Sequence, residues 1–305
     1  MVEVLDQKYL PFSEDKLVNH FAKVRDGGEC VTNKKHLDYY RNSVKRYHDY
    51  LDQPPGMRGR SLSEMKGPCQ IEKDERFWIA SCMMVVFYAE QRQRILEELL
   101  VRAFGDASPI KGLESWKECL EGHLDLFFEA KLPSPGSYKK WLREHMKERQ
   151  FIPHLRSSAG QDKDNLEGPT NVDAILMNPE SGFAILIEAK VLSDISCLIT
   201  YDAARNQIAR TIDVMLEENR NLCEPLNHRD PERTLFLLIT PEMFKTSPAD
   251  RLYGYKFLEY REKPDALARD LPHRHVGHWR EVTCKLGWLT WEDFHRAHNE
   301  CCPWL

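Results

Sequence analysis

The chain has 305 residues, of which 42% are hydrophobic and 30% are charged, the balance of a globular protein with a sizeable core. Its net charge of −5 excludes a globally basic surface, so a nucleic-acid site would have to be a local basic patch. We see no signal-peptide pattern, and the apolar runs are too short to span a bilayer, so we expect a cytoplasmic protein with no membrane partner. Nine cysteines without a CxxC motif predict reduced thiols.

The first part of the chain is predicted to be helical. Residues 74–104 contain no Gly or Pro and end before Gly105, which favours one long helix. The segment "SWKECLEGHLDLFFEAK" at residues 115–131 predicts a further helix, and "LPSPGS" then interrupts the pattern. We therefore predict a helical amino-terminal region at residues 1–132 and a second domain at residues 133–305.

The second part alternates between strand and helix patterns. Apolar runs rich in Ile, Leu and Val flank the turn residues "PESG", which indicates a β-hairpin. The predicted elements are, in order, a helix at 138–149 capped by Ser137, a strand at 151–155, strands at 171–178 and 183–191, a helix at 202–219, strands at 234–240 and 285–290, and a helix capped by Thr290. The leading αβββαβ order predicts a mixed β-sheet of the α/β class.

The tripeptide Glu-Ala-Lys occurs twice, at residues 129–131 and at residues 188–190. The first copy ends a predicted helix, where the nearest upstream acid, Asp125, would be a neighbour on a solvated helix face. We therefore interpret the first copy as an ordinary exposed pair of charges. Any chemistry is assigned to the second copy.

The second copy ends the second strand of the predicted hairpin. If the hairpin turns symmetrically about residues 180–181, Asp173 lies directly opposite Glu188. Opposed residues of an antiparallel pair share a face, and side chains alternate between faces, so Lys190 lies on that face too. Two opposed carboxylates repel each other, and a hard cation such as Mg²⁺ would relieve the repulsion. The alternatives are an asymmetric loop, which would move Asp173 to the other face, and an edge hairpin with solvated charges.

In these residues the sequence resembles the PD-(D/E)xK nuclease superfamily. The resemblance rests on Asp173, the fifteen-residue step to Glu188, the polar-faced helix and the buried strand that follow, and it spans residues 137–240. Val172 stands where the name of the family has proline. The resemblance implies a mixed-sheet restriction-endonuclease-like core (αβββαβ) with a helical amino-terminal extension.

The resemblance also implies roles for the matching residues. A metal ion, Mg²⁺ or Mn²⁺, would be held by Asp173, Glu188 and the backbone carbonyl of Ala189. The implied catalytic residues are Asp173, Glu188 and Lys190, with the lysine positioning or deprotonating the attacking water. The family often adds an acid from the helix before its first core strand, and Glu144 and Glu148 are both open candidates.

The helix after the hairpin is the predicted contact surface for nucleic acid. One face carries the apolar stripe, and another collects polar side chains that can bind phosphate. The predicted nucleic-acid-binding residues are Arg205, Asn206, Gln207 and Arg210. The alternative is a solvated face on which the two arginines pair with acids such as Asp202 and Asp213.

The expected function is Mg-dependent hydrolysis of phosphodiester bonds in nucleic acid, with DNA as the expected substrate, by attack of a metal-activated water. One alternative is a catalytically inactive nuclease-like subunit for nucleic-acid binding or assembly. Another is a metal-dependent hydrolase of a different phosphate ester. Nucleic acid is the expected partner, and a homodimer is the assembly considered.

Overall fold

The structure is a computed structural model that describes residues 12–26, 28–33, 35–51, 75–149, 167–195, 205–218, 220–302 and 305. The helices are α1 (Glu14–Asn19), α2 (Lys35–Leu51), α3 (Glu75–Tyr88), α4 (Arg92–Phe104), α5 (Trp116–Leu120), α6 (Gly136–Arg149), α7 (Gln207–Met215), α8 (Glu242–Thr246), α9 (Leu252–Glu262), α10 (Asp265–Asp270), α11 (Trp279–Cys284) and α12 (Trp291–Ala297). The strands are β1 (Lys23–Asp26), β2 (Glu29–Thr32), β3 (Asp125–Leu132), β4 (Thr170–Met177), β5 (Ala184–Ala189), β6 (Thr234–Thr240) and β7 (Leu286–Thr290). Within these ranges, every helix is too short or too polar to cross a membrane.

One mixed five-stranded sheet forms the centre of the fold, with the strand order β3-β4-β5-β6-β7. The first three strands are antiparallel neighbours, and the last three are parallel neighbours. Strands β5 and β6 are buried along their whole length because helices cover both faces of the sheet. Alternate residues of β6 enter two hydrophobic clusters: Leu235 and Leu237 pack with α3 and α4, whereas Phe236 and Leu238 pack with α7 and α9. The predicted α/β class with a mixed sheet is therefore confirmed.

The predicted hairpin and its register are confirmed. Strands β4 and β5 pair with Ala174 opposite Ile187, and this register places Asp173 level with Glu188. The side chain of Asn178 stabilises the loop, since its Oδ1 accepts hydrogen bonds from two backbone N–H groups of the turn. Turn chemistry within the chain thus sets which side chains meet at the far end of the hairpin.

The segment predicted as a helix at residues 115–131 instead forms two elements. Helix α5 ends at Leu120, just before Gly122, whose φ of 92° lies in the left-handed region. Strand β3 follows and pairs along its length with β4. The helix prediction for the first Glu-Ala-Lys copy is therefore wrong, because a pairing partner far away in sequence stabilises the extended conformation.

The region at residues 1–132 is more than a helical extension. Helices α3 and α4 replace the single helix predicted at 74–104, strands β1 and β2 form a separate hairpin, and β3 joins the central sheet. Side chains of α3 and α4 share one hydrophobic cluster with β5 and β6. The boundary predicted after residue 132 therefore does not separate two cores. The strand predicted at 151–155 lies outside the described residues.

The last elements match their predictions closely. Strands β6 and β7 occupy the two predicted apolar runs, and Thr290 caps α12 with a reciprocal capping box to Asp293. Helix α7 covers only part of the helix predicted at 202–219, of which residues 202–204 and 219 lie outside the described ranges.

One pair of cysteines forms a disulfide, although reduced thiols were predicted. Cys30 and Cys223 form a disulfide that joins β2 to the segment after α7. The prediction of reduced thiols is wrong for these two residues. Among the described cysteines, the free thiols are those of Cys82, Cys119, Cys284, Cys301 and Cys302.

Candidate functional site

Strands β4 and β5 bring the three predicted catalytic residues together. Glu188 is fully buried, and its Oε1 lies 2.7 Å from Nζ of Lys190. The Oδ2 atom of Asp173 accepts a hydrogen bond of 2.8 Å from the backbone N–H of Ala189. The indole N–H of Trp291 donates to the backbone carbonyl of Lys190 at 2.9 Å, which fixes the chain where the lysine leaves the strand.

Helix α3 supplies an acid that the sequence did not identify. The Oε2 atom of Glu75 lies 3.4 Å from Nζ of Lys190, and its Oε1 accepts a hydrogen bond from the hydroxyl of Ser193. Glu75 begins a helix that is otherwise largely apolar, a pattern that indicates only a favourable helix start. Of the two predicted candidates, Glu144 is exposed, and the side chain of Glu148 lies outside the described residues. We call Glu75, Asp173, Glu188 and Lys190 the acidic cluster.

Two of the predicted nucleic-acid-binding residues, Asn206 and Gln207, form hydrogen bonds to other groups of the protein. Gln207 donates a hydrogen bond from Nε2 to Oε1 of Glu188, so it supports the acidic cluster. Asn206 caps α7, since its Oδ1 accepts from the backbone N–H of Ala209 at 3.1 Å. Its Nδ2 donates to the hydroxyl of Tyr260 at 2.6 Å. Asn206 is therefore a buried structural residue, and Gln207 remains partly exposed beside the cluster.

Arg205 is fully buried, which does not fit its predicted contact with nucleic acid. Its guanidinium pairs with Asp213 and, at 3.2 Å, with Glu167, and it lies 3.6 Å from the centre of the Tyr138 ring. Arg210 pairs with the same Glu167 at 2.8 Å and is only 22% exposed. A buried charge must be paired within the protein. The pairing of Arg205 with Asp213 agrees with the alternative prediction, whereas the solvated face of that alternative is wrong for Arg205.

This placement predicts that Arg205→Met destabilises the fold. The substitution leaves two buried carboxylates without one of their cations, and we expect the free energy of unfolding in urea to fall by about 3–5 kcal/mol. The control is Arg220→Met, whose partner Glu218 is exposed and whose expected effect is within about 0.5 kcal/mol. A stable Arg205→Met protein with weakened nucleic-acid binding would contradict the structural role.

The first Glu-Ala-Lys copy lies beside the acidic cluster, contrary to its prediction as an exposed pair. Glu129 is 2% exposed, and its φ of 55° is a left-handed conformation that costs a residue other than glycine about 1–2 kcal/mol. The pairing of β3 with β4 places it level with Asp173. Its carboxylate accepts a hydrogen bond of 2.6 Å from Asn171 and lies 3.1 Å from the guanidinium of Arg76. Only Lys131 of this copy is exposed as predicted.

Burial and repulsion change the ionisation of the acidic cluster. Burial, followed by the charge of Asp173, raises the pKa of Glu188 to about 8. Burial also raises the pKa of Asp173 to about 6, against the opposing effect of Lys190. Burial lowers the pKa of Lys190, but the charges of the three carboxylates outweigh it and raise that pKa above its usual value. In the absence of a metal ion, Lys190 is thus an ammonium group that can donate hydrogen bonds.

The raised pKa values predict a loss of stability with rising pH in the absence of metal. A carboxyl group whose pKa is higher in the folded chain stabilises it fully below the usual value, and this contribution is lost as pH passes the folded value. The window runs from 4.5 to about 8 for Glu188 and from 3.8 to about 6 for Asp173. Urea unfolding in EDTA should show the native protein losing stability relative to Glu188→Gln across this window. The exposed control Glu262→Gln should follow the native profile, and parallel native and Glu188→Gln profiles would contradict the prediction.

The acidic cluster contains carboxylate oxygens, the type of ligand that a hard cation prefers. The Oε2 atom of Glu188 is buried and has no hydrogen-bond partner among the described residues, an arrangement that a cation would relieve. No group of three His, Cys, Asp or Glu side chains in the described ranges is arranged to hold a metal ion. A pair of carboxylates is nevertheless sufficient for Mg²⁺, which retains several waters and commonly takes only one or two carboxylates from a protein.

No protein-family model, curated protein or solved structure matches this chain. The function must therefore be inferred from the side chains of the site. Opposed carboxylates can hold a cation, and the adjacent ammonium group can donate hydrogen bonds to an anion or to a water molecule. This combination is suited to hydrolysis of a phosphate ester.

Proposed function

We propose that this protein is a Mg²⁺- or Mn²⁺-dependent nuclease of the PD-(D/E)xK type and that its nucleic-acid substrate is DNA. The observation that carries the proposal is the hairpin register, in which Asp173 is level with Glu188 while Lys190 contacts Glu188 at 2.7 Å. The chain order from α3 to β6 is α3-α4-α5-β3-α6-β4-β5-α7-β6. It contains the restriction-endonuclease-like order αβββαβ, with α4, α5 and α6 as additional helices, and this supports the proposal. In this proposal β3, which carries the first Glu-Ala-Lys copy, takes the place of the strand expected at residues 151–155.

The metal ligands in this proposal are Asp173, Glu188 and the backbone carbonyl of Ala189. A bound divalent ion supplies charge neutralisation at the scissile phosphate and lowers the pKa of a water molecule. Lys190 donates hydrogen bonds to the attacking water or to a phosphate oxygen, where negative charge develops during the reaction. Gln207 holds Oε1 of Glu188, and Glu75 orients the ammonium group of Lys190.

The experiment that tests this function is a cleavage assay with several substrates and metals. Supercoiled plasmid, single-stranded DNA, RNA and a small phosphodiester are each incubated with the full chain in Mg²⁺, Mn²⁺ or EDTA. We expect cleavage of DNA with either metal and none in EDTA. Hydrolysis of the small phosphodiester alone would assign the site to another phosphate ester, and the absence of all cleavage would overturn the enzymatic proposal.

A catalytically inactive nuclease-like subunit is the second candidate. The observation that favours it is that Oε1 of Glu188 already accepts hydrogen bonds from both Lys190 and Gln207 without a metal ion. Titration calorimetry with Mg²⁺ and Mn²⁺ separates the two candidates. Binding that is lost in Asp173→Asn supports the nuclease, and absence of binding to the native chain supports the inactive subunit.

A further inference from the structure

Glu129 combines three features that are each unfavourable without compensation. Its carboxylate is buried, its backbone has a left-handed φ, and it is level with the carboxylate of Asp173 on the neighbouring strand. Like charges on adjacent strands repel, and strained conformations of this kind concentrate at functional sites. The residues that offset the charge and the strain of Glu129 therefore indicate its role.

Both carboxylate oxygens of Glu129 are engaged by protein groups. Its Oε2 accepts the hydrogen bond from Asn171, and its Oε1 lies 3.1 Å from Nε of Arg76. The contact with Arg76 is an ion pair, and a buried carboxylate in this position anchors the arginine. The guanidinium of Arg76 also lies 4.6 Å from the centre of the Tyr39 ring, which restrains it from a second side.

Arg76 stands at the rim of the acidic cluster. It follows Glu75 in α3, and Glu75 contacts Lys190 directly. The side chain of Arg76 is 40% exposed, whereas those of Glu129 and Lys190 are 2% and 6% exposed. The first turn of α3 thus carries one side chain into the cluster and a restrained cation to its accessible edge.

We propose that Arg76, anchored by Glu129, binds a backbone phosphate of the nucleic acid next to the phosphate that is cleaved. This inference rests on the proposed nuclease function and adds a substrate-binding residue to it. A chain of net charge −5 with an acidic cluster repels a polyanion unless a cation receives it locally. A planar guanidinium can form two parallel hydrogen bonds to a phosphate, which fixes the position of the strand as well as its charge.

The test is a binding measurement that does not depend on cleavage. Fluorescence anisotropy with a labelled DNA oligonucleotide in EDTA is compared between the native chain and Arg76→Ala. We expect Arg76→Ala to raise the Kd about 10-fold and to reduce the slope of log Kd against log salt by nearly one. Arg76→Lys should recover only part of the affinity, because an ammonium group cannot reproduce the two parallel hydrogen bonds. In the cleavage assay the substitution should raise KM more than it lowers kcat.

Two further variants keep the test decisive. Arg76→Ala leaves the buried Glu129 without its cation and could lower the melting temperature. If it does, the same binding measurement is made on the double variant Arg76→Ala/Glu129→Gln, which removes both charges. The matched control is Arg102→Ala on α4, a comparably exposed arginine that is also paired with a glutamate, and it should bind as the native chain does.

The failure of this inference can be distinguished from that of the nuclease itself. Folded Arg76 variants with unchanged Kd and salt slope would overturn the role of Arg76 while leaving metal-dependent cleavage intact. A native chain that binds neither DNA nor RNA would overturn both proposals. Unchanged KM in Arg76→Ala with a reduced kcat would also contradict a contact made before the chemical step.

Discussion

Replacing Lys190 with alanine is expected to reduce DNA cleavage by about 10²–10⁴-fold. The ammonium group lies 2.7 Å from Glu188 and 3.4 Å from Glu75, so it is held where it can donate to the water or to the phosphate. Its removal takes away the donor and leaves the acids that form the proposed metal site. We therefore expect Mg²⁺ binding in calorimetry to persist while the rate of cleavage collapses.

The first Glu-Ala-Lys copy provides the matched control for this experiment. Lys131→Ala removes the lysine of an identical tripeptide, and that lysine is exposed on β3. Its cleavage rate should stay close to that of the native chain. Native-like cleavage by a folded Lys190→Ala variant would remove the central residue from the proposed mechanism. A thermal melt is needed beside the assay, because the buried Glu188 loses its nearest cation.

Asp173→Asn is expected to abolish metal binding and cleavage while making the metal-free protein more stable. The amide can still accept the hydrogen bond from Ala189, but it removes the charge that opposes Glu188. Relief of that repulsion should raise the free energy of unfolding in EDTA by about 1 kcal/mol. In the native chain, Mg²⁺ at about 100 times its Kd should add about 2.7 kcal/mol, and the variant should show no such increase.

The control for this substitution is Asp125→Asn, at the opposite end of the neighbouring strand. Asp125 is opposite Met177, beside the hairpin loop, and bonds to His123, so it is remote from the acidic cluster. Its variant should keep the stabilisation by Mg²⁺. Equal stabilisation of native and Asp173→Asn protein by Mg²⁺ would show that Asp173 is not a ligand, and would favour the inactive nuclease-like subunit.

The cluster combines features that weaken the fold with features that suit catalysis. One end of β3, β4 and β5 holds the opposed carboxylates and Glu129, whose backbone has a left-handed φ. The pKa of Glu188 at this end is raised. The parallel part of the sheet, by contrast, consists of buried apolar strands. Concentration of unfavourable features at one location is typical of functional sites. The same reasoning predicts that a divalent ion bound at the proposed site stabilises this protein.

Local patterns were sufficient to predict the hairpin and its register. The turn residues 179–182 and the alternation of side chains along each strand lie within one short segment, so no distant contact was needed to place Asp173 level with Glu188. Strands β6 and β7 and the cap at Thr290 were predictable for the same reason. Each depends on an apolar run or on a capping residue within a few positions.

The burial of charged side chains was not predictable in this way. Arg205 has the sequence context of a surface helix, and it is buried because two acids neutralise it, the nearby Asp213 of α7 and the distant Glu167 before β4. The spacing of acidic and basic residues along α7 is equally compatible with a solvent-exposed helix face. Whether a charge is exposed depends on partners that only the tertiary structure brings within reach.

The two copies of Glu-Ala-Lys differ in whether their positions could be predicted from the sequence or depended on the tertiary structure. The sequence alone was sufficient to place the second copy opposite Asp173, because the hairpin that positions Glu188 closes through a short turn. The first copy was assigned to an exposed helix, and pairing with β4 made it a strand with Glu129 buried beside the site. Glu75 likewise reaches Lys190 only through the packing of α3 against the sheet. Short-range hydrogen bonding can be inferred from neighbouring residues, whereas long-range pairing and helix packing depend on the whole fold.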